Sequence, residues 1–273
     1  MTTDTQPHLS GTVKRLIEKG VRIISPESVY VDPEINAARI SGSGVTIHPG
    51  CRLTGAATLI SDGVELGREA PVTLIDSYLG PLVKLNGGSF EGCVFLRGAA
   101  MGSGAHVRQG TIFEEYASGA HCVGVKQTIL FPYVTLGSLI NFCDCFIAGG
   151  TGPKNHSEVG SSYIHFNFTP HQDKATASMF GDVPRGVMLD QAPIFLGGQG
   201  GLVGPCRINY GNVIAAGSIY RKDALESGKI LIASPGRGGS VPFRPGVHIN
   251  VKRIFVNNVI YIANLLALKS WYH

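Results

Sequence analysis

Apolar residues recur every six positions at Leu196, Leu202, Ile208, Ile214 and Tyr220. An α-helix returns to the same face every 3.6 residues and a strand every two. A period of six fits neither as an isolated element. It fits a chain that coils, making a short strand, a turn, and another short strand. Each step turns one large side chain inward and needs small residues at the corner. The segments LGGQGG, LVGPCR, INYGNV and IAAGSI have that form. They read as the hexapeptide repeat of a parallel β-helix.

The same register recurs upstream in broken blocks: Ile47, Leu53, Leu59; Ile60, Leu66, Val72; Leu79, Leu85; Met101, Val107, Phe113; Val123, Ile129; and Val134, Ile140, Phe146. The phase slips between blocks, so corners gain or lose a residue there. At roughly three hexapeptides per turn, the repeat region predicts on the order of ten coils. Composition agrees. There are 37 glycines among 273 residues, and only 15% of residues are charged, as expected of many tight turns and few exposed helices.

The expected organisation has three parts. Residues 1–20 form a polar tail and a short helix, with Val13, Leu16 and Ile17 on one face and Gly20 ending it. Residues 21–222 form the β-helix, with extruded loops near 148–157 (AGGTGPKNHS) and 168–193, where the register lapses. Residues 223–273 are a Gly/Pro-rich linker and a C-terminal helix beginning near Val247. Lys252, Arg253, Asn257, Asn258 and Asn264 interrupt the apolar run of that helix. It therefore reads as an amphipathic helix packing on the prism or a sister subunit, with no membrane span. The helix runs to His273 without a cap, so the natural chain is expected to continue.

A net charge of +4, with no Lys/Arg cluster interleaved with aromatics, excludes a nucleic-acid partner. The six cysteines contain no Cys-x-x-Cys pair; Cys143 and Cys145 frame one aspartate, and the reading is buried thiols with no metal. The polar N-terminus has no signal-like run, so a reducing cytoplasm is expected. Loops on a rigid scaffold are where sites concentrate, which directs attention to His156, between Asn155 and Glu158, and to His165 and His171 around Asn167. A histidine within reach of an attacking amine or hydroxyl, plus a donor for the oxyanion, suffices for attack on a thioester.

Residues 105–222 resemble the C-terminal acetyltransferase domain of the bifunctional enzyme that makes UDP-N-acetylglucosamine. The whole chain resembles stand-alone β-helix proteins labelled UDP-N-acetylglucosamine pyrophosphorylase. The segments AHVRQGTI, GVKQTI, EVGSSYIHFNF and FLGGQGGLVGPCRINYGNVIAAGS carry the likeness. It implies an all-β, left-handed parallel β-helix with two extruded loops and a C-terminal α-helix, assembled as a homotrimer with sites between subunits. It further implies acetyl-CoA or another acyl-CoA as donor and a nucleotide sugar or sugar phosphate as acceptor. By the same likeness Arg108 and Lys126 bind the acceptor's phosphate, with Asn141, Glu158 and Lys174 as further substrate contacts, while Phe168, Gly198 and Ala216 lie along the coenzyme; His171 joins the substrate contacts by its place in the loop. The expected catalytic set is His156, Asn167 and His165.

Departures from the pattern matter as well. The family's general-base histidine falls on Ser138, a nearby tyrosine on Asn141, and a second lysine on Asp173, with Lys174 one step away. Serine does not take a proton from an amine at neutral pH, whereas histidine does. The nucleotide-binding loop and strand-helix alternation of a nucleotidyltransferase are missing from the chain, so that activity does not follow. The alternatives are a non-catalytic sugar-nucleotide-binding prism, a partner subunit for a separate nucleotidyltransferase, a structural trimer, and a metal-dependent β-helix enzyme using histidines of neighbouring subunits.

Overall fold

A computed structural model describes residues 9–170, 177–233 and 251–273. The chain is a β-solenoid of about 11 turns with few helices, consistent with a left-handed β-helix. It divides into two compact units, Met1–Gln127 and Thr128–His273.

The first unit opens with helix α1, Gly11–Glu18. Ser10 caps it by accepting a bond from the Val13 N–H, and Gly20 leaves it at φ 106°. Coils follow in which strands of two to four residues stack in parallel, such as Thr46–Ile47 on Glu65–Leu66 and Cys93–Phe95 on Thr111–Phe113. The six-residue register supplies the core. Ile47, Leu53, Ile60, Leu66, Leu79, Leu85, Val107 and Phe113 are all essentially inaccessible. Phe95 stacks on Phe113 with centroids 4.6 Å apart. Leu59, expected inward, is only half-buried because Ile60 takes that place.

The corners explain the glycine content. Residues 98, 104, 110, 116 and 122 all have φ between 56° and 73°. The first three are glycine, which adopts that region freely; Tyr116 and Cys122 do so at a cost of roughly 1–2 kcal/mol each. The step of six survives even where glycine is replaced, so coil geometry, not composition, dictates the turn.

In the second unit the same construction runs through Leu136, Val159, Leu196 and Ile214, with neighbouring strands again parallel. Leu196, Leu202, Ile208 and Ile214 are buried, and Tyr220 is half-buried. Leu130 is buried where Ile129 was expected inward. The expected loop at 148–157 is shorter than that range, since Ala148, Gly149 and Gly150 stay buried and the chain leaves the coil only at Thr151. The expected loop at 168–193 contains a buried strand, Ser178–Phe180, paired to both Cys145–Ile147 and Arg207–Ile208. A short helix, α2 (Val183–Gly186), follows it.

The C-terminal helix α3 spans Val251–Tyr272 and is, among the described residues, one helix long and apolar enough to cross a membrane by length and composition. Its orientation reverses the expected amphipathicity. The residues it buries are Asn257, Asn264 and Leu268, while Phe255, Val259, Ile262, Leu265 and Leu266 are exposed. Asn264 fixes the docking, because its Oδ1 accepts a 2.7 Å bond from the Val183 N–H at the start of α2. Arg253 donates to Asp223 and to the Pro205 carbonyl.

Candidate functional site

In the first unit, Val107 and Val125 pair in register and point inward, which sends the next residues, Arg108 and Lys126, outward on adjacent coils. Their backbones therefore stand one strand spacing apart in a column, about 4.8 Å. Phe90 pairs with Val107 on the other side, so Glu91 precedes Arg108 in that column; its carboxylate accepts from Gln109 at 2.9 Å. Arg108 is exposed and Lys126 half-buried.

In the second unit, the chain leaves the coil as a tight loop. The Thr151 N–H bonds the Asn155 carbonyl at 2.8 Å, and Asn155 Nδ2 bonds Thr151 Oγ1 at 2.6 Å. Buried Ser157 ties its base, donating to the Ala148 carbonyl and accepting from the Ile194 N–H. His156 sits at the exit of this loop. Its Nδ1 lies 2.9 Å from the Pro153 carbonyl, which makes Nδ1 the protonated nitrogen and leaves Nε2 with its lone pair. Nε2 is 3.9 Å from the Glu158 carboxylate, and both side chains reach solvent. Asn155 spends its side chain on Thr151, so Pro153, and not Asn155, orients the imidazole.

His165 and Asn167 meet through a residue the sequence reading missed. Ser178 Oγ lies 2.8 Å from His165 Nε2, donates to Asn167 Oδ1 at 3.3 Å, and accepts from the Cys206 N–H at 3.1 Å. With the hydroxyl proton on Asn167, His165 Nε2 is the donor to Ser178. His165 is 1% exposed, set edge-on to Phe142 and Phe180, and its Nδ1 has no partner among the described residues. Burial pushes its pKa down to about 4. The imidazole is thus neutral and turned into the prism. Ser178 gave no sequence signal, because a lone serine in ASMFG has no periodic partner to mark it.

Phe168 is 65% exposed beside Asn167. Asn141 is exposed on a strand whose register places it against Ile164. Gly198 and Ala216 fall on one corner of successive coils, two residues beyond the Leu196–Ile214 pair. That corner is crowded: a Cβ on Gly197 would stand 2.4 Å from the Ala216 nitrogen, and one on Gly198 would stand 2.7 Å from the Ser161 carbonyl. The Ser138 N–H donates to Ser161 Oγ. His171 and Lys174 lie outside the described residues.

A cavity of about 430 Å³ also opens in the second unit, lined by Asp182, Arg185, Arg207, Leu225, Ile260 and Asn264 among others. It holds none of the site residues expected from the sequence. Arg185 there is committed to Asp182 and stacks over the Tyr210 ring at 5.3 Å. Among the described residues, no three His, Cys, Asp or Glu side chains cluster as a metal site.

No family model matches the chain. It is 24% identical over 212 residues to the bifunctional protein GlmU of Thermotoga petrophila, covering 77% of this chain and 42% of that protein. With the GlmU of Pelobacter propionicus it shares 25% over 219 residues, 80% of this chain and 42% of the relative. With the GlmU of Thermus thermophilus it shares 32% over 151 residues, 55% and 30%. The chain thus spans less than half the length of the curated relatives it matches, and the likeness falls on their C-terminal part. Together with the solenoid, this homology supports a hexapeptide-repeat acetyltransferase-like domain.

Proposed function

We propose that this chain transfers an acyl group, acetyl first among them, from coenzyme A to an amino or hydroxyl group of a nucleotide sugar or sugar phosphate. The observation that carries the reading is the His156 imidazole, held through Nδ1 by Pro153 with Nε2 open beside Glu158. In the proposed step Nε2 takes the proton of the attacking amine or hydroxyl as the new C–N or C–O bond forms at the thioester carbonyl. The C–S bond then breaks, and the imidazolium returns the proton to the departing thiolate. Glu158 stabilises the imidazolium between those events. The paired cations Arg108 and Lys126 are the proposed phosphate contacts, the guanidinium suiting a planar two-point contact. Phe168 and the Gly198–Ala216 corner are the proposed path of the coenzyme arm.

His165, neutral and buried, has no proposed part in proton transfer; with Ser178 it fixes Asn167, which supplies the amide donor for the oxyanion. Assembly as a homotrimer and a cytoplasmic location belong to the same proposal. None of the six cysteines forms a disulfide, which fits a reducing compartment.

The test is a coupled chromatographic assay of free coenzyme A, with acetyl-CoA and amino-sugar phosphates or UDP-amino sugars as acceptors. His156→Ala is expected to lower kcat by about 10²-fold or more, with an unchanged circular dichroism spectrum. Full turnover by that variant refutes the assignment. The resemblance supports a second reading, a sugar-nucleotide-binding prism without transfer, since it aligns Ser138 with the family's base. Calorimetric binding of a UDP-sugar with no response to any acyl-CoA selects it.

A further inference from the structure

Helix α3 is built inside out. Its inward seam carries polar groups beside one buried leucine, Leu268: Asn264 on the Val183 N–H, Asn257 buried, and Arg253 on Asp223 and the Pro205 carbonyl. Its outward face is a continuous apolar strip: Phe255 is 67% exposed, Ile262 55% and Leu266 60%, with Val251 and Val259 beside them. Exposed apolar surface of this extent on a helix marks a docking surface. The charge pattern says for what. Among residues 251–272 there are three bases, Lys252, Arg253 and Lys269, and no acid. Lys252 and Lys269 bracket the apolar strip at its two ends, and Trp271 and Tyr272 lie exposed beside Lys269. Bases at the two ends of an apolar strip match the headgroup level of an anionic bilayer. Two such strips facing each other in a symmetric pair would bring together only like charges.

We infer that the outer face of α3 is a peripheral docking surface for an anionic lipid bilayer. The helix, about 33 Å long, lies along the interface with its apolar strip among the acyl chains and its lysines at the phosphates. It does not cross. Crossing would strip Asn264 and Arg253 of their bonds and carry them into hydrocarbon, where unsatisfied polar groups are excluded. The inference stands independently of the proposed acyl transfer.

The experiment is co-sedimentation of the full chain with vesicles of phosphatidylcholine containing phosphatidylglycerol, at low salt and millimolar lipid. The wild type is expected to pellet with these vesicles and to remain in the supernatant with pure phosphatidylcholine. Val259→Asp with Leu266→Asp should reduce partitioning at least about tenfold. Lys252→Gln with Lys269→Gln should reduce it about tenfold, with thermal melting unchanged in both. Failure to pellet, equal binding to neutral vesicles, or undiminished binding by the aspartate pair overturns the inference. So does an aspartate pair that dissociates an oligomer in sedimentation velocity while the wild type ignores vesicles, since the strip is then a contact between copies of this chain.

Discussion

Burying an imidazole among phenyl rings disfavours its cation, and His165 shows the consequence. Its pKa is about 4 in the folded chain against about 6.5 exposed. Between those values the unfolded chain binds the extra proton, so stability rises with pH there. The contribution is complete above about pH 6.5 and is lost as pH falls through about 4. It amounts to on the order of 3 kcal/mol, at 1.36 kcal/mol per unit. Urea unfolding at pH 7.5 and pH 4.5 should show this drop, and His165→Leu should flatten it. An equal drop in the variant would place the acid sensitivity elsewhere. From sequence, His156 and His165 look equivalent, two histidines near an apparent loop. Strand pairing separates them: His165 faces inward between Phe142 and Leu202, while His156 lies outside the ladder.

At the scale of elements, the six-step spacing made the coils legible because inward residues are large and corners are small. The slip of one residue to Leu130 from Ile129 passed unseen, and Leu59 and Ile60 both entered the register, because two adjacent aliphatics satisfy the pattern equally well. The strand Ser178–Phe180 was hidden for another reason: three residues are too few to show a period. Helix α3 was legible as a helix, but its facing was not. A pattern rule turns apolar residues inward by default, and here a bond accepted by Asn264 and bonds donated by Arg253 set the inward side. Asn264→Ala should therefore cost about 1–2 kcal/mol, since the Val183 N–H at the start of α2 loses its acceptor. Val259→Ala on the outer face should change stability by less than about 0.5 kcal/mol. Denaturant titration distinguishes the two, and a reversed order would mean that the apolar side is the one that docks.

For the molecule as a whole, thiol reactivity offers a map of the fold. Cys51, Cys93, Cys145 and Cys206 are buried, and burial raises the pKa of all four, Cys93 to about 11 and Cys206 to about 12. Cys122 is exposed and Cys143 half-exposed. Ellman's reagent should modify Cys122 at once, Cys143 slowly, and the other four only on unfolding. Rapid labelling of all six would contradict the packed coils. The proposed trimer has its own check. Light scattering should give about three times the chain mass, and a monomer would remove the support for sites shared between subunits.

The pairing of coils has a consequence for how the chain is made. In the first unit a strand finds its partner some seventeen residues away, as Ser89 does with His106. A turn can therefore close on the one before it soon after leaving the ribosome, with no need for any distant segment. The contact of α3 with α2 is of another kind, joining Asn264 to Val183 across 81 positions. Nascent chains stalled before residue 251 should thus already protect their strand amides from exchange, while the amide of Val183 waits for the end of synthesis.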